Sequence, residues 1–123
     1  MAGMALIVDD SLVARLSLKG ILKESNLGLS EASSGEDALE KLSGGLSPDI
    51  VFLDLTMPGK GGIETLRDIR SAHTKLPVVI VTADIQARTI EMVTEAGASA
   101  VVRKPADRAE ILGVIGRLVG KAS

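Results

Sequence analysis

The chain has 123 residues, with 14 Lys+Arg against 16 Asp+Glu for a formal net charge of -2, no Cys, Trp or Tyr, and one Phe. That length fits one domain that buries roughly two thirds of its unfolded surface, and 46% apolar content excludes a disordered segment. A single ring excludes aromatic stacking platforms and cation cages, the acidic balance argues against generic DNA binding, and without Cys there is no disulfide, thiolate metal site or cysteine nucleophile.

Ala5, Leu6, Ile7 and Val8 form an unbroken apolar run that stops at Asp9 and Asp10, the pattern of a strand buried on both faces. Residues 11–25 turn helical, with Ala14, Leu18 and Leu22 at i, i+4 spacing. Gly20 inside that helix costs about 1 kcal/mol against Ala. Residues 27–32 read as a weak strand. Ser33 and Ser34, followed at three residues by Glu36 and Asp37, offer alternative capping boxes for a helix through Leu42, closed by Gly44 and Gly45.

Ile50, Val51, Phe52 and Leu53 are a second apolar run, and it too stops at an acid, Asp54. The breaker-rich loop Thr56-Met57-Pro58-Gly59-Lys60-Gly61-Gly62 follows. Its glycines lack the spacing of a P-loop and read as loop geometry. Ile63, Leu66 and Ile69 then give a helix to about Ala72, with His73 expected on the solvated surface. Val78 to Val81 form a strand ending at Thr82. Residues 85–96 read helical, with Met92 expected in the core, and close at Gly97. Ala100, Val101 and Val102 are the last strand and run into Arg103, Lys104 and Pro105. Asp107 with Glu110 caps a final amphipathic helix.

Strict alternation of strand and helix predicts an α/β fold. It is a doubly wound, five-stranded parallel sheet in the flavodoxin-like order 2-1-3-4-5, with five helices on its two faces. In that order ligands bind outside the carboxyl ends of the strands, where the order reverses between the first and third. Asp10 and Asp54 would face each other there, with Thr82 and Lys104 reaching in. Two like charges ~4 Å apart repel by roughly 4 kcal/mol at an effective dielectric of ~20, so clustered carboxylates need protons or a cation. Carboxylates with waters and a phosphate oxygen are the usual environment of Mg²⁺. Phosphoryl transfer needs positioning and charge neutralisation. That assigns Asp54 as a carboxylate nucleophile, with Lys104 and Thr82 on the phosphoryl oxygens. Asp9, Asp10, Asp54 and Lys104 together carry the whole formal net charge of the chain, because the remaining 13 acids and 13 bases cancel.

The motifs Asp9-Asp10-Ser11, Leu53-Asp54-Leu55-Thr56-Met57-Pro58 with Gly62, Thr82-Ala83 and Lys104-Pro105 resemble, in order and spacing, the response-regulator receiver domain of two-component signalling. The resemblance spans essentially all 123 residues, read as one receiver domain, residues 1–123. It implies Asp54 as phosphoacceptor, Asp10 as a direct Mg²⁺ ligand, Asp9 acting largely through water, and Thr56 supplying its backbone carbonyl. Thr82 and Lys104 would bind the phosphoryl group, and the Lys104–Pro105 bond would be cis.

It further implies a histidine kinase as donor, an unidentified downstream protein target, no nucleic acid or membrane partner, and a monomer for which dimerisation on phosphorylation stays open. The chain would not be an enzyme beyond its own phosphorylation and autodephosphorylation. No run approaches the ~18 apolar residues of a membrane span and the start has no signal-peptide pattern, so a cytoplasmic protein is expected. It would be a stand-alone chemotaxis-type regulator, shuttle or sink, or equally a receiver cut from a longer protein.

Where the family usually carries Tyr or Phe, three residues before the site lysine, this chain has Val101, which cannot reproduce an aromatic rotation. Thr56 and Asp84 stand where the family tunes phosphoryl lifetime. A pseudo-receiver that binds a partner without phosphorylation is the alternative. A haloacid-dehalogenase-type phosphatase is excluded because Asp54-Leu55-Thr56 is not Asp-x-Asp.

Overall fold

The apolar runs become the three central strands of the sheet. A computed structural model of the chain describes residues 3–56 and 61–119; Met57, Pro58, Gly59 and Lys60 of the breaker-rich loop lie outside the described residues. The strands are β1 (Met4–Val8), β2 (Gly28–Ala32), β3 (Ile50–Asp54), β4 (Val78–Thr82) and β5 (Ala100–Arg103). All pair in parallel, in the order β2-β1-β3-β4-β5. The helices are α1 (Leu12–Leu22), continued by a 3-10 turn over Lys23–Ser25, α2 (Gly35–Ser43), α3 (Gly62–Ala72), α4 (Ala87–Glu95) and α5 (Arg108–Leu118). The predicted architecture is the observed one.

Alternation along the strands divides the core in two. Ala5, Ile7, Ile50, Phe52, Val79 and Val102 pack against Leu18 and Leu22 of α1 and Ile111, Val114 and Ile115 of α5. Leu6, Val8, Val51, Leu53, Val78 and Ile80 pack against residues of α2, α3 and α4 on the opposite face. Both faces of β3 and β4 are covered, so those strands can be apolar up to their last residues, Asp54 and Thr82. The edge strand β2 is mostly half-buried, which matches its weak sequence signal.

Local chemistry settles the open boundaries. Ser34, not Ser33, caps α2, its hydroxyl accepting from the Asp37 N–H at 3.0 Å, while the Asp37 carboxylate accepts from the Ser33 N–H. Helix α4 starts at Ala87 rather than Ile85 because Asp84 folds the preceding residues into a side-chain turn, Oδ1 accepting from the Gln86 N–H at 3.1 Å. Met92 is not in the core: it is exposed, because α4 turns only Val93 fully inward and the adjacent position points away. His73 caps α3 in a half-buried position, its N–H donating to the Ile69 carbonyl.

Candidate functional site

Strand register brings the predicted residues to one edge. Val8 is level with Leu53, so Asp9 and Asp54 follow side by side on the adjacent strands β1 and β3. Asp54 is level with Val81 and Thr82 with Arg103, which puts Thr82 and Lys104 on the same edge. This is where the strand order reverses, the ligand-binding position of an open α/β sheet.

Asp9 and Asp54 are buried, each 5% exposed. The Lys104 ammonium bridges them, 2.9 Å from Asp9 Oδ2 and 2.9 Å from Asp54 Oδ1. The other Asp9 oxygen accepts from the Ser11 N–H at 2.9 Å, and Ser11 caps α1 through its hydroxyl, which accepts from the Ala14 N–H. The Thr56 N–H donates to the Asp54 carboxylate. Asp10 is exposed, yet one carboxylate oxygen each from Asp9, Asp10 and Asp54 lie within 4.8 Å of one another. Thr82 is buried at the rim, its Oγ1 accepting from the Asp84 N–H at 3.0 Å. The Lys104–Pro105 peptide is cis.

Gly62 shows why α3 begins where it does. A Cβ there would come within 2.5 Å of Leu55 Cα and 2.6 Å of the Asp54 carbonyl oxygen, both backbone atoms. Only glycine lets the helix start this close to the segment that carries Asp54. Asp54, with Asp9 and Lys104, also lines a cavity of about 270 Å³ whose apolar walls include Ile7, Leu18, Phe52 and Val81.

These apolar walls shape the electrostatics. Burial pushes the Asp54 carboxyl above its ordinary 3.8, and the neighbouring Asp9 charge adds to this, outweighing Lys104. Burial opposes the Lys104 charge, but its hydrogen bonds to Asp54 and Asp9 win and raise it above 10.5. One ammonium cannot neutralise three clustered carboxylates. The donor set is all oxygen, so Asp9, Asp10 and Asp54 fit a hard divalent cation.

Asp9, Asp10, Asp54 and Lys104 are thus brought together, Thr56 lies beside them in sequence and contact, and Thr82 stands at the rim with its hydroxyl oxygen engaged. Val101 is half-buried and packs against the α2, α3 and α4 face. The sequence analysis singles out Asp84 but misses two neighbours of the site, the Thr89 hydroxyl and the Arg15 guanidinium. Asp84 Oδ2 accepts from the Thr89 hydroxyl at 2.7 Å, tying the Thr82 loop to α4. Arg15 reaches the Asp9 carbonyl and Glu31. Arg15 and Lys19 at i, i+4 before an acid in a short strand were the available signal.

Comparison with known proteins points one way. The sequence pattern of the response regulator receiver domain matches residues 5–116. Protein CcdB of Bacillus subtilis is 38% identical over 116 residues, covering 94% of this chain and 96% of that protein. The chemotaxis protein CheY of Thermotoga maritima is 29% identical over 119 residues, covering 96% and 98%. The crystal structure of NtrX from Brucella abortus superposes with a TM-score of 0.89 at 27% identity, over 99% of this chain and 28% of that one.

Proposed function

The chain belongs to the response regulator receiver domain family, and from that premise we propose that residues 1–123 form one receiver domain that takes a phosphoryl group from a histidine kinase onto Asp54. The observation that carries this is the Asp54 carboxylate, buried at the switch point, held by Lys104 and flanked by Asp9 and Asp10.

The step is a displacement at phosphorus. An Asp54 oxygen forms the new O–P bond while the bond from phosphorus to the donor's imidazole nitrogen breaks. The electron pair leaves with the imidazole, which then takes a proton. Lys104 orients the carboxylate beforehand and pairs with a phosphoryl oxygen afterwards. Thr82 accepts from Asp84 and so keeps its own hydroxyl proton for another phosphoryl oxygen. Asp9, Asp10, Asp54 and the Thr56 carbonyl would hold Mg²⁺, which when bound supplies positive charge against the phosphoryl oxygens. Water later attacks phosphorus, the bond from phosphorus to the Asp54 oxygen breaks, and inorganic phosphate leaves; this restores Asp54 slowly, and Asp84 and Thr56 tune the lifetime.

The protein acts as a cytoplasmic signalling module, passing its state to a downstream protein. No helix among the described residues is long and apolar enough to cross a membrane. With Mg²⁺ and a small-molecule phosphodonor, intact-mass measurement is expected to show one added phosphoryl group, absent in Asp54→Asn. An unmodified wild type overturns the reading. Val101 favours a second reading, a sink or interaction module whose partner binding ignores phosphorylation. Equal partner capture with and without phosphodonor supports it.

A further inference from the structure

Arg15 stands in the first turn of α1, and a helical side chain leans back toward the helix N-terminus. Its side chain therefore lies over the turn between β1 and α1 and is only 15% exposed. Nη1 donates to the backbone carbonyl of Asp9 at 2.6 Å, and Nε donates to Glu31 Oε1 at 2.9 Å. Glu31 is on β2, level with Ile7, and its second oxygen accepts from Lys19 Nζ at 2.9 Å. Two cations hold Glu31 in place, and Glu31 in turn fixes the planar fork of Arg15.

The carbonyl that Arg15 holds belongs to the peptide plane joining Asp9 to Asp10. The Asp9 N–H is already held by the Ala32 carbonyl at 3.1 Å. The Asp9 carboxylate has its own partners in Ser11 and Lys104. Asp10 differs: its side chain is exposed, and no hydrogen bond fixes its carboxylate among the described residues. No partner fixes its side-chain torsions, so what places it at the cluster is the direction of its Cα–Cβ bond, which the backbone sets. A change of ψ at Asp9 would turn its carbonyl and swing the Asp10 side chain out of its cluster with Asp9 and Asp54, and the Arg15 hydrogen bond to that carbonyl opposes the change.

We propose that Arg15 is a positioning residue for the cation site: it aims Asp10 by fixing the Asp9–Asp10 peptide, while Glu31 holds Arg15 in place and keeps its charge off the acidic cluster. The inference rests on the reading of Asp9, Asp10 and Asp54 as a Mg²⁺ site. Loss of an outer-shell partner typically weakens metal binding ~10–100-fold, so Arg15→Gln is expected to raise the Mg²⁺ concentration for half-saturation by roughly ten-fold.

The test is a Mg²⁺ titration of the unphosphorylated full chain, followed by the backbone amide NMR shifts of Asp10 and Ser11. It is paired with phosphorylation rates measured against Mg²⁺ concentration with a small-molecule donor. In Arg15→Gln the half-saturation point moves up in both, while the rate at saturating Mg²⁺ stays near wild type. Arg15→Lys recovers part of the shift, because a single ammonium still reaches the carbonyl. Glu31→Gln moves the half-point the same way by less, and it decides the matter should Arg15→Gln not fold. An unchanged half-point in folded Arg15→Gln or Glu31→Gln, whatever happens to melting temperature, overturns the inference alone. A wild type whose amides ignore Mg²⁺ overturns the metal-site reading and this inference with it.

Discussion

Helices α1 and α4 both follow a strand that ends in the site, and they are held very differently. Helix α1 has a side-chain cap from Ser11, buries Leu18 and Leu22, and is linked to β2 through Arg15, Lys19 and Glu31. Helix α4 has no side-chain cap at Gln86 and buries Val93 alone; both helices leave apolar side chains exposed, Leu12, Val13 and Leu16 in α1 and Ile90 and Met92 in α4. Just beyond its far end, Arg70 donates twice to the Gly97 carbonyl, at 3.1 and 2.8 Å, so that end is anchored. Its near end, beside Thr82, is held through Asp84, which accepts from the Gln86 N–H and the Thr89 hydroxyl and donates its own N–H to Thr82. Stability is spread unevenly in folded chains, and segments that move are drawn from the weakly held end. The carboxylate side of the site is therefore the fixed frame, and the Thr82 side is the part that can respond.

The widest gap should appear when the buried anchors are cut. Leu22→Ala is expected to cost about 3 kcal/mol and to lower native-state hydrogen-exchange protection across all five strands. Val93→Ala removes two methyl groups, about 2 kcal/mol with partial collapse, and its loss of protection should stay within residues 87–95. Equal losses across the sheet in the two variants would break the comparison.

A smaller effect comes from Thr89→Val. Losing one hydrogen bond of about 1 kcal/mol should speed exchange roughly five-fold at residues 84–90 and leave α1 unchanged. A change spread to α1 would mean that the two helices open as one unit.

The smallest effect depends on pH. The Lys19 hydrogen bond, against the opposing cost of burial and with help from Arg15, holds the Glu31 carboxyl below its ordinary 4.5. A depressed acid contributes stability that is present above 4.5 and lost as pH falls through its folded value. Glu31→Gln should therefore lie below wild type in urea midpoint near neutrality, and the two should converge in acid. Curves that stay parallel at all pH values would show that Glu31 holds α1 by shape rather than by charge.

The same contrast explains what was legible in the sequence. Strands β1, β3 and β4 announce themselves because burial on both faces demands unbroken apolar runs, and each run stops at a polar residue of the site. Parallel register then does the rest, carrying Asp9, Asp54, Thr82 and Lys104 to one edge. Helix α4 is the element whose sequence pattern departs furthest from its structure. Its start shifts because Gln86 stays extended, its N–H held by the Asp84 carboxylate ahead of the first turn, and Met92 is exposed because one inward position carries the whole contact. The i, i+4 pair Arg15 and Lys19 hints at an acidic partner, but only the β1–β2 register identifies it as Glu31. The shared cap at Ser33 or Ser34 was decided by geometry that spacing alone does not contain.

Phe52 is the chain's one aromatic residue, and it lines the cavity next to Asp54. Fluorophenylalanine incorporated throughout the protein would thus mark a single position, two residues from the site carboxylate. The fluorine spectrum would hold one line, needing no assignment, and that line would follow the occupancy of the site directly.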